Sequence, residues 1–131
     1  MKAIIIHQFG PPEVMQYTDF PDPQLAKEEI LIKVQACGVN YGVNYTDTTR
    51  RMGKYELDLP WIPGNEVAGI VKEVGSSVQH ISVDDKVVAL VVETGGGYAQ
   101  NCKAHYSLAH RIPDHVDFVE AASIPLPRVR Q

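Results

Sequence analysis

The side chains suited to metal or covalent chemistry in this sequence are Cys37, Cys102 and five histidines, His7, His80, His105, His110 and His115. A zinc ion needs three or four thiolate, imidazole or carboxylate ligands, gathered by spacings such as C-x-x-C or H-E-x-x-H. No such spacing occurs. His105 and His110 lie five apart in a strand-like stretch, which predicts opposite faces of one strand. Solvated loop histidines are the plainer expectation for all five. Two cysteines make no disulfide framework, and Cys37 is expected to fill a core or strand position, as free cysteines often do. No G-x-S-x-G elbow presents a serine, and no G-x-G-x-x-G opens a dinucleotide site. Gly95-Gly96-Gly97 lacks the Lys-Ser/Thr and the following helix of a phosphate loop, so it reads as a turn. One further feature is a tandem copy: Gly38-Val39-Asn40-Tyr41 runs straight into Gly42-Val43-Asn44-Tyr45. Four residues copied once are too few for a solenoid repeat.

The elements that must position these residues are mostly strands. Residues 2–6 form a β-branched run stopped by Gly10-Pro11-Pro12. Over residues 29–36 the pattern has period two, with Ile30, Ile32, Val34 and Ala36 on one face and Lys33 and Gln35 on the other. Residues 66–74 predict another strand, with Gly69 marking a bulge or a close approach. Residues 86–92 are apolar enough for a strand buried on both faces. Residues 98–104 and 107–112 add two more. Two short helices are expected. One covers residues 47–52, with Thr46 or Asp47 as N-cap and Gly53 just past its end. The other starts at the capping-box pattern Asp117-x-x-Glu120 and is stopped by Pro125 and Pro127. The result is a mainly β fold, a compact barrel or sandwich with few helices.

The chain has 131 residues, the usual size of one domain with one core. Its 12 basic and 16 acidic residues, net charge -4, present no basic face to nucleic acid or anionic lipid. No apolar run approaches the ~20 residues of a membrane span, and no signal peptide is visible. A cytoplasmic location is expected.

A-x-G-V-N, N-Y-T-D-T-T-R-R-M-G-K-Y, L-P-W-I-P-G-N-E-V-A-G-I-V-K-E-V-G-S-S-V, D-D-K-V-V-A-L and G-G-G-Y-A-Q then follow one another in order, ahead of the capped helix. This ordered set resembles the N-terminal GroES-like catalytic domain of the medium-chain dehydrogenase/reductase superfamily. Within it, the set is most similar to the zinc-free quinone oxidoreductases related to zeta-crystallin. The block over residues 63–71 is the most specific part. The resemblance spans residues 1–125 and implies a GroES-like, partly open barrel. It also implies that residues 126–131 are an unrelated or truncated tail and that the family's nucleotide-binding domain is absent from the chain.

The resemblance also assigns roles. Zinc-dependent relatives carry a Cys and a His where this chain has Asn44 (or Asn40) and Asn65, and an amide is a poor zinc ligand. No zinc is therefore expected. In the zinc-free branch the Asn of G-V-N lines the cleft beside nicotinamide and substrate; here that residue is Asn44 by the downstream spacing, or Asn40 by the preceding strand. Asn44 is thus the catalytic and cofactor-binding candidate, with Tyr45 and Tyr55 as aromatic walls for a flat substrate. Thr49 stands where many relatives have an aromatic residue. The implied activity is NADPH-dependent hydride transfer to a quinone or activated alkene, with the isolated chain inactive and a homodimer expected from the apolar face it would leave open. The alternative is a non-enzymatic GroES-like binding module, or pseudoenzyme, that self-associates.

Overall fold

A computed structural model of the chain describes residues 1–39, 46–54, 56–91 and 94–124. Its strands are β1 (Lys2–Ile5), β2 (Gln16–Asp19), β3 (Glu29–Cys37), β4 (Glu66–Val74), β5 (Lys86–Leu90), β6 (Asn101–His105) and β7 (Ala109–Arg111). Two short α-helices, α1 (Thr46–Arg51) and α2 (Phe118–Ala122), complete the described elements. The fold is mainly β. A five-stranded antiparallel sheet, ordered β6-β3-β4-β5-β7, curls into a partly open barrel. The β1-β2 hairpin is tied to it by bridges from Ala3 to Ala99 and from Ile6 to Trp61.

The barrel interior is apolar because each strand contributes one face. Ile30, Ile32, Val67, Val71, Val87 and Ala89 are all buried there, together with Cys102. The expected alternation along β3 holds to Val34 and then breaks. Val34 pairs with Gly69 and Ala36 with Ala68, so Gln35 is an extra residue in the ladder. A bulge of this kind flips the face order. Ala36 accordingly packs with Ala68, Ile112, Ala121 and Ala122 under α2, and Cys37 joins the interior. Gly69 is where this geometry demands glycine: a Cβ there would stand 2.1 Å from the carbonyl oxygen of Lys33.

Four other expectations are adjusted. β5 is buried on one face only, with Val87 and Ala89 inside and Val88 and Leu90 half-covered, because α2 is too short to roof the outer face. Residues 107–112 are not one strand, since a 3-10 turn at Tyr106–Leu108 precedes β7. His105 therefore ends β6 and His110 lies in β7, at opposite edges of the sheet and not on one strand. The first helix begins at Thr46, one residue ahead of the expected start.

The helix ends obey their sequence signals. The amide of Gly53 (φ 82°) donates to Arg50 and that of Lys54 to Thr49, which closes α1 with a left-handed residue and satisfies its last carbonyls. Asp117 caps α2 by accepting from the Glu120 amide at 2.8 Å. Such a cap is worth about 1 kcal/mol.

Candidate functional site

The polar floor of the barrel mouth forms where three segments meet: the end of β3, the approach to β4, and α1. Gly38 donates its amide to the Glu66 carbonyl at 3.0 Å, which lays the end of β3 against the start of β4. The Glu66 carboxylate is packed against that same glycine, and a Cβ at position 38 would stand 2.2 Å from its Oε1. Asn65 is fully buried and Glu66 nearly so, at 0% and 2% exposure. Buried polar side chains of this kind persist only when hydrogen-bonded. Arg50 supplies part of that need, its Nη1 donating to Asn65 Oδ1 at 3.3 Å. The guanidinium also lies over the Trp61 ring, 6.0 Å from its centroid.

Arg50 and Arg51 separate because neighbours on a helix point about 100° apart. Arg51 turns the other way. Its Nε donates to the Gly10 carbonyl at 3.2 Å, and the Gly10 amide returns a bond to the Arg51 carbonyl at 2.9 Å, stapling α1 to the first loop.

The approach to β4 is held from the far side by the glycine turn. The amides of Gly95, Gly96, Gly97 and Tyr98 donate to the carbonyls of Val91, Ile62, Gly64 and Pro63. These N–H groups are spent inside the fold and cannot cradle a phosphate, so the turn reading holds. The thiols are quiet. Cys37 is half-buried at the edge of the core, as expected. Burial pushes the Cys102 thiol up to about 12, with Lys103 pulling weakly the other way. All five histidines are exposed. Among the described residues, no three His, Cys, Asp or Glu side chains come together as a metal site.

Asn40, Asn44, Tyr45 and Tyr55 lie outside the described residues. What is described is the frame on either side of them: Gly38 and Val39 before residues 40–45, α1 after them, and Lys54 before Tyr55. Asn65, read from the sequence only as a non-ligand, is the buried centre of that frame. Arg50 belongs to no metal-binding or catalytic motif in the sequence. A buried polar residue in the Gly64-Asn65-Glu66 triplet, needing a long donor nearby, was the available signal.

The alcohol dehydrogenase GroES-like domain family matches residues 26–114. Quinone oxidoreductase of Sus scrofa is 38% identical over 130 residues, covering 97% of this chain and 38% of that protein. The structure of quinone oxidoreductase from Coxiella burnetii superposes with a TM-score of 0.90 at 31% identity, covering 98% of this chain and 42% of that one. Quinone oxidoreductase of Escherichia coli, complexed with NADPH, gives a TM-score of 0.85 at 35% identity over 93% of this chain and 36% of that one. The chain thus spans about two fifths of the length of these relatives. With the GroES-like match covering more than half of its residues, the chain belongs to the alcohol dehydrogenase GroES-like domain family.

Proposed function

We propose that the chain is the substrate domain of a zinc-free, NADPH-dependent oxidoreductase that passes hydride to a quinone or an activated alkene. The observation that carries this reading is the 38% identity to a quinone oxidoreductase along 97% of the chain. The NADPH complex of the Escherichia coli relative supports the cofactor. NADPH supplies the hydride when bound; its phosphates need a cradle that the glycine turn does not offer, because its amides are already bonded. The role of this chain is orientation and shielding. Asn44 has amide donors and a carbonyl to align a carboxamide or a quinone oxygen. Tyr45 and Tyr55 wall a flat ring. Asn65, the residue that the resemblance sets where zinc-dependent relatives carry a ligand, is an amide that accepts from the Arg50 guanidinium, which supports the zinc-free assignment. A cytoplasmic enzyme fits these roles.

The test is a chimera in which this chain replaces the matching domain of the Escherichia coli quinone oxidoreductase. Quinone-dependent NADPH oxidation without bound zinc is expected, falling at least tenfold in Asn44→Ala. A chimera that binds NADPH yet reduces no quinone or enone, or that holds one zinc per chain, overturns the reading.

One observation favours a second reading, a binding module that pairs with its own copy. An apolar groove of about 470 Å³ runs between β5, β7 and α2, and the exposed side chains of Leu108 and Ile124 line it. Sedimentation of the 131-residue chain separates the readings: a dimer that Leu108→Asp dissociates supports the module, and a monomer at high concentration removes it.

A further inference from the structure

A cavity of about 380 Å³ opens where the loop after β2, the approach to β4, the glycine turn and the start of β6 meet. Its lining includes none of Gly38, Arg50, Asn65 and Glu66, the residues of the barrel mouth. Flat walls come from the rings of Phe20, Pro21, Pro23, Pro60 and Trp61. These walls are preformed. Trp61 exchanges backbone bonds with Ile6 at 2.9 and 3.0 Å, and the Phe20 amide donates to the Met1 carbonyl at 2.9 Å. Asn101, only 8% exposed, lines the cavity from β6.

The Asn101 side chain is only half used by the fold. Its Nδ2 donates to Asp22 Oδ1 at 3.1 Å. A carboxylate only accepts, so this bond turns the amide nitrogen toward Asp22 and fixes Oδ1 on the other side. Among the described residues, no donor meets Oδ1 and no acceptor meets the second N–H of the amide. A buried polar group left in this way is costly until something pairs with it. One open donor beside one open acceptor on a planar group is the complement of another amide edge. Charge narrows the choice. The Met1 ammonium stands 3.8 Å from Asp22 and also donates to the Phe20 carbonyl, while Lys103 stands 3.6 Å from Glu29. Both cations already face carboxylates, so the cavity suits a neutral ligand.

We propose that this cavity is a binding site for a small, neutral, planar ring that carries an amide edge, such as an aromatic carboxamide. Asn101 pairs with that edge, Oδ1 accepting the ligand N–H and the remaining Nδ2 hydrogen going to the ligand carbonyl. Asp22 is the positioning residue, since its bond to Nδ2 sets which way the Asn101 amide faces. Proline rings and the indole of Trp61 cover the flat body of the ligand. A volume of about 380 Å³ falls within the range of roughly 300–1,000 Å³ usual for small-molecule sites, and a mostly apolar wall with a few placed polar groups is their usual construction. The site stands whether or not the chain serves a reductase, because no residue assigned to that chemistry takes part in it.

The test titrates the nitrogen-15-labelled chain with benzamide and follows amide and indole resonances by NMR. Saturable shifts of the Asn101 side-chain amide and the Trp61 indole N–H are expected, with a Kd of about 1 mM for so small a ligand. Acetophenone, which keeps the ring and the carbonyl but has no N–H for Oδ1, should bind at least tenfold more weakly. Asn101→Leu should weaken benzamide at least tenfold while leaving acetophenone far less affected. If that variant does not fold, the comparison of the two ligands on the wild-type chain decides. Shifts confined to residues outside this cavity, equal affinity for benzamide and acetophenone, or undiminished benzamide binding by Asn101→Leu overturns the proposal.

Discussion

The guanidinium of Arg50 donates across 3.3 Å to the side-chain oxygen of Asn65, an amide with no solvent exposure. The bond joins α1 to the approach of β4 at the barrel mouth. Because the donor is charged, it is worth roughly 1.5–3 kcal/mol where fully buried, and less here because Arg50 is half-exposed. The same guanidinium over Trp61 adds a stacking contact that an ammonium would make less well.

Arg50→Met should therefore destabilise the chain by about 1–2 kcal/mol, with the urea midpoint falling and the slope unchanged. Arg50→Lys should fall between, keeping the charge and losing the planar stack. Equal midpoints for all three proteins would show that Asn65 does not depend on this donor.

Gly38→Ala addresses the other wall of the mouth. The added methyl would stand 2.2 Å from Glu66 Oε1, 2.6 Å from Cγ and 2.7 Å from Cδ. Only the carboxylate end can yield, and it is buried. Overpacking of this kind costs about 1–3 kcal/mol. Thermal unfolding should show a lower Tm, and Gly38→Ala with Glu66→Ala should recover part of the loss if the clash is its cause.

Much of this architecture was legible in the residues. Alternation located β3, apolar runs located β4 and β5, and the capping pattern at Asp117 and the glycine at position 53 marked helix ends, because these are local effects. The bulge at Gln35 was not legible, since alternation alone carries no sign of an extra residue; only Gly69 on the partner strand hinted at it. The one-sided burial of β5 depends on the length of α2, a tertiary matter. At the site, motif spacing pointed to residues 40–45 and to Tyr55, which lie outside the described residues. The Arg50 bond to the Asn65 side chain comes from α1, fifteen residues away in sequence, and no local pattern encodes it.

The two thiols should separate cleanly by reactivity. Burial holds Cys102 protonated, up to about 12, inside the barrel, whereas Cys37 is half-exposed at the end of β3. The thiolate is the reacting species. Iodoacetamide near neutral pH should alkylate Cys37 and leave Cys102 untouched until the chain is unfolded. Native labelling of Cys102 at a comparable rate would mean that the core opens far more readily than its packing implies.

Asp85 gives the fold a specific acid sensitivity. The Ser82 amide, donating at 2.9 Å, holds this carboxyl below its ordinary value of 3.8 against the opposing effect of burial, and Arg111 adds to the depression with Nε at 3.1 Å. A carboxyl whose value is lowered on folding contributes stability that is present above the unfolded value and is lost as pH falls through the folded one. The gain is below about 1 kcal/mol, since the pair is partly solvated. Asp85→Asn keeps an acceptor for Ser82 but gives up the charge. Its urea midpoint should lie below wild type at neutral pH and converge with it as the pH drops well below 3.8. A difference that persists unchanged into strong acid would assign the effect to packing of the 82–85 turn and not to the charge.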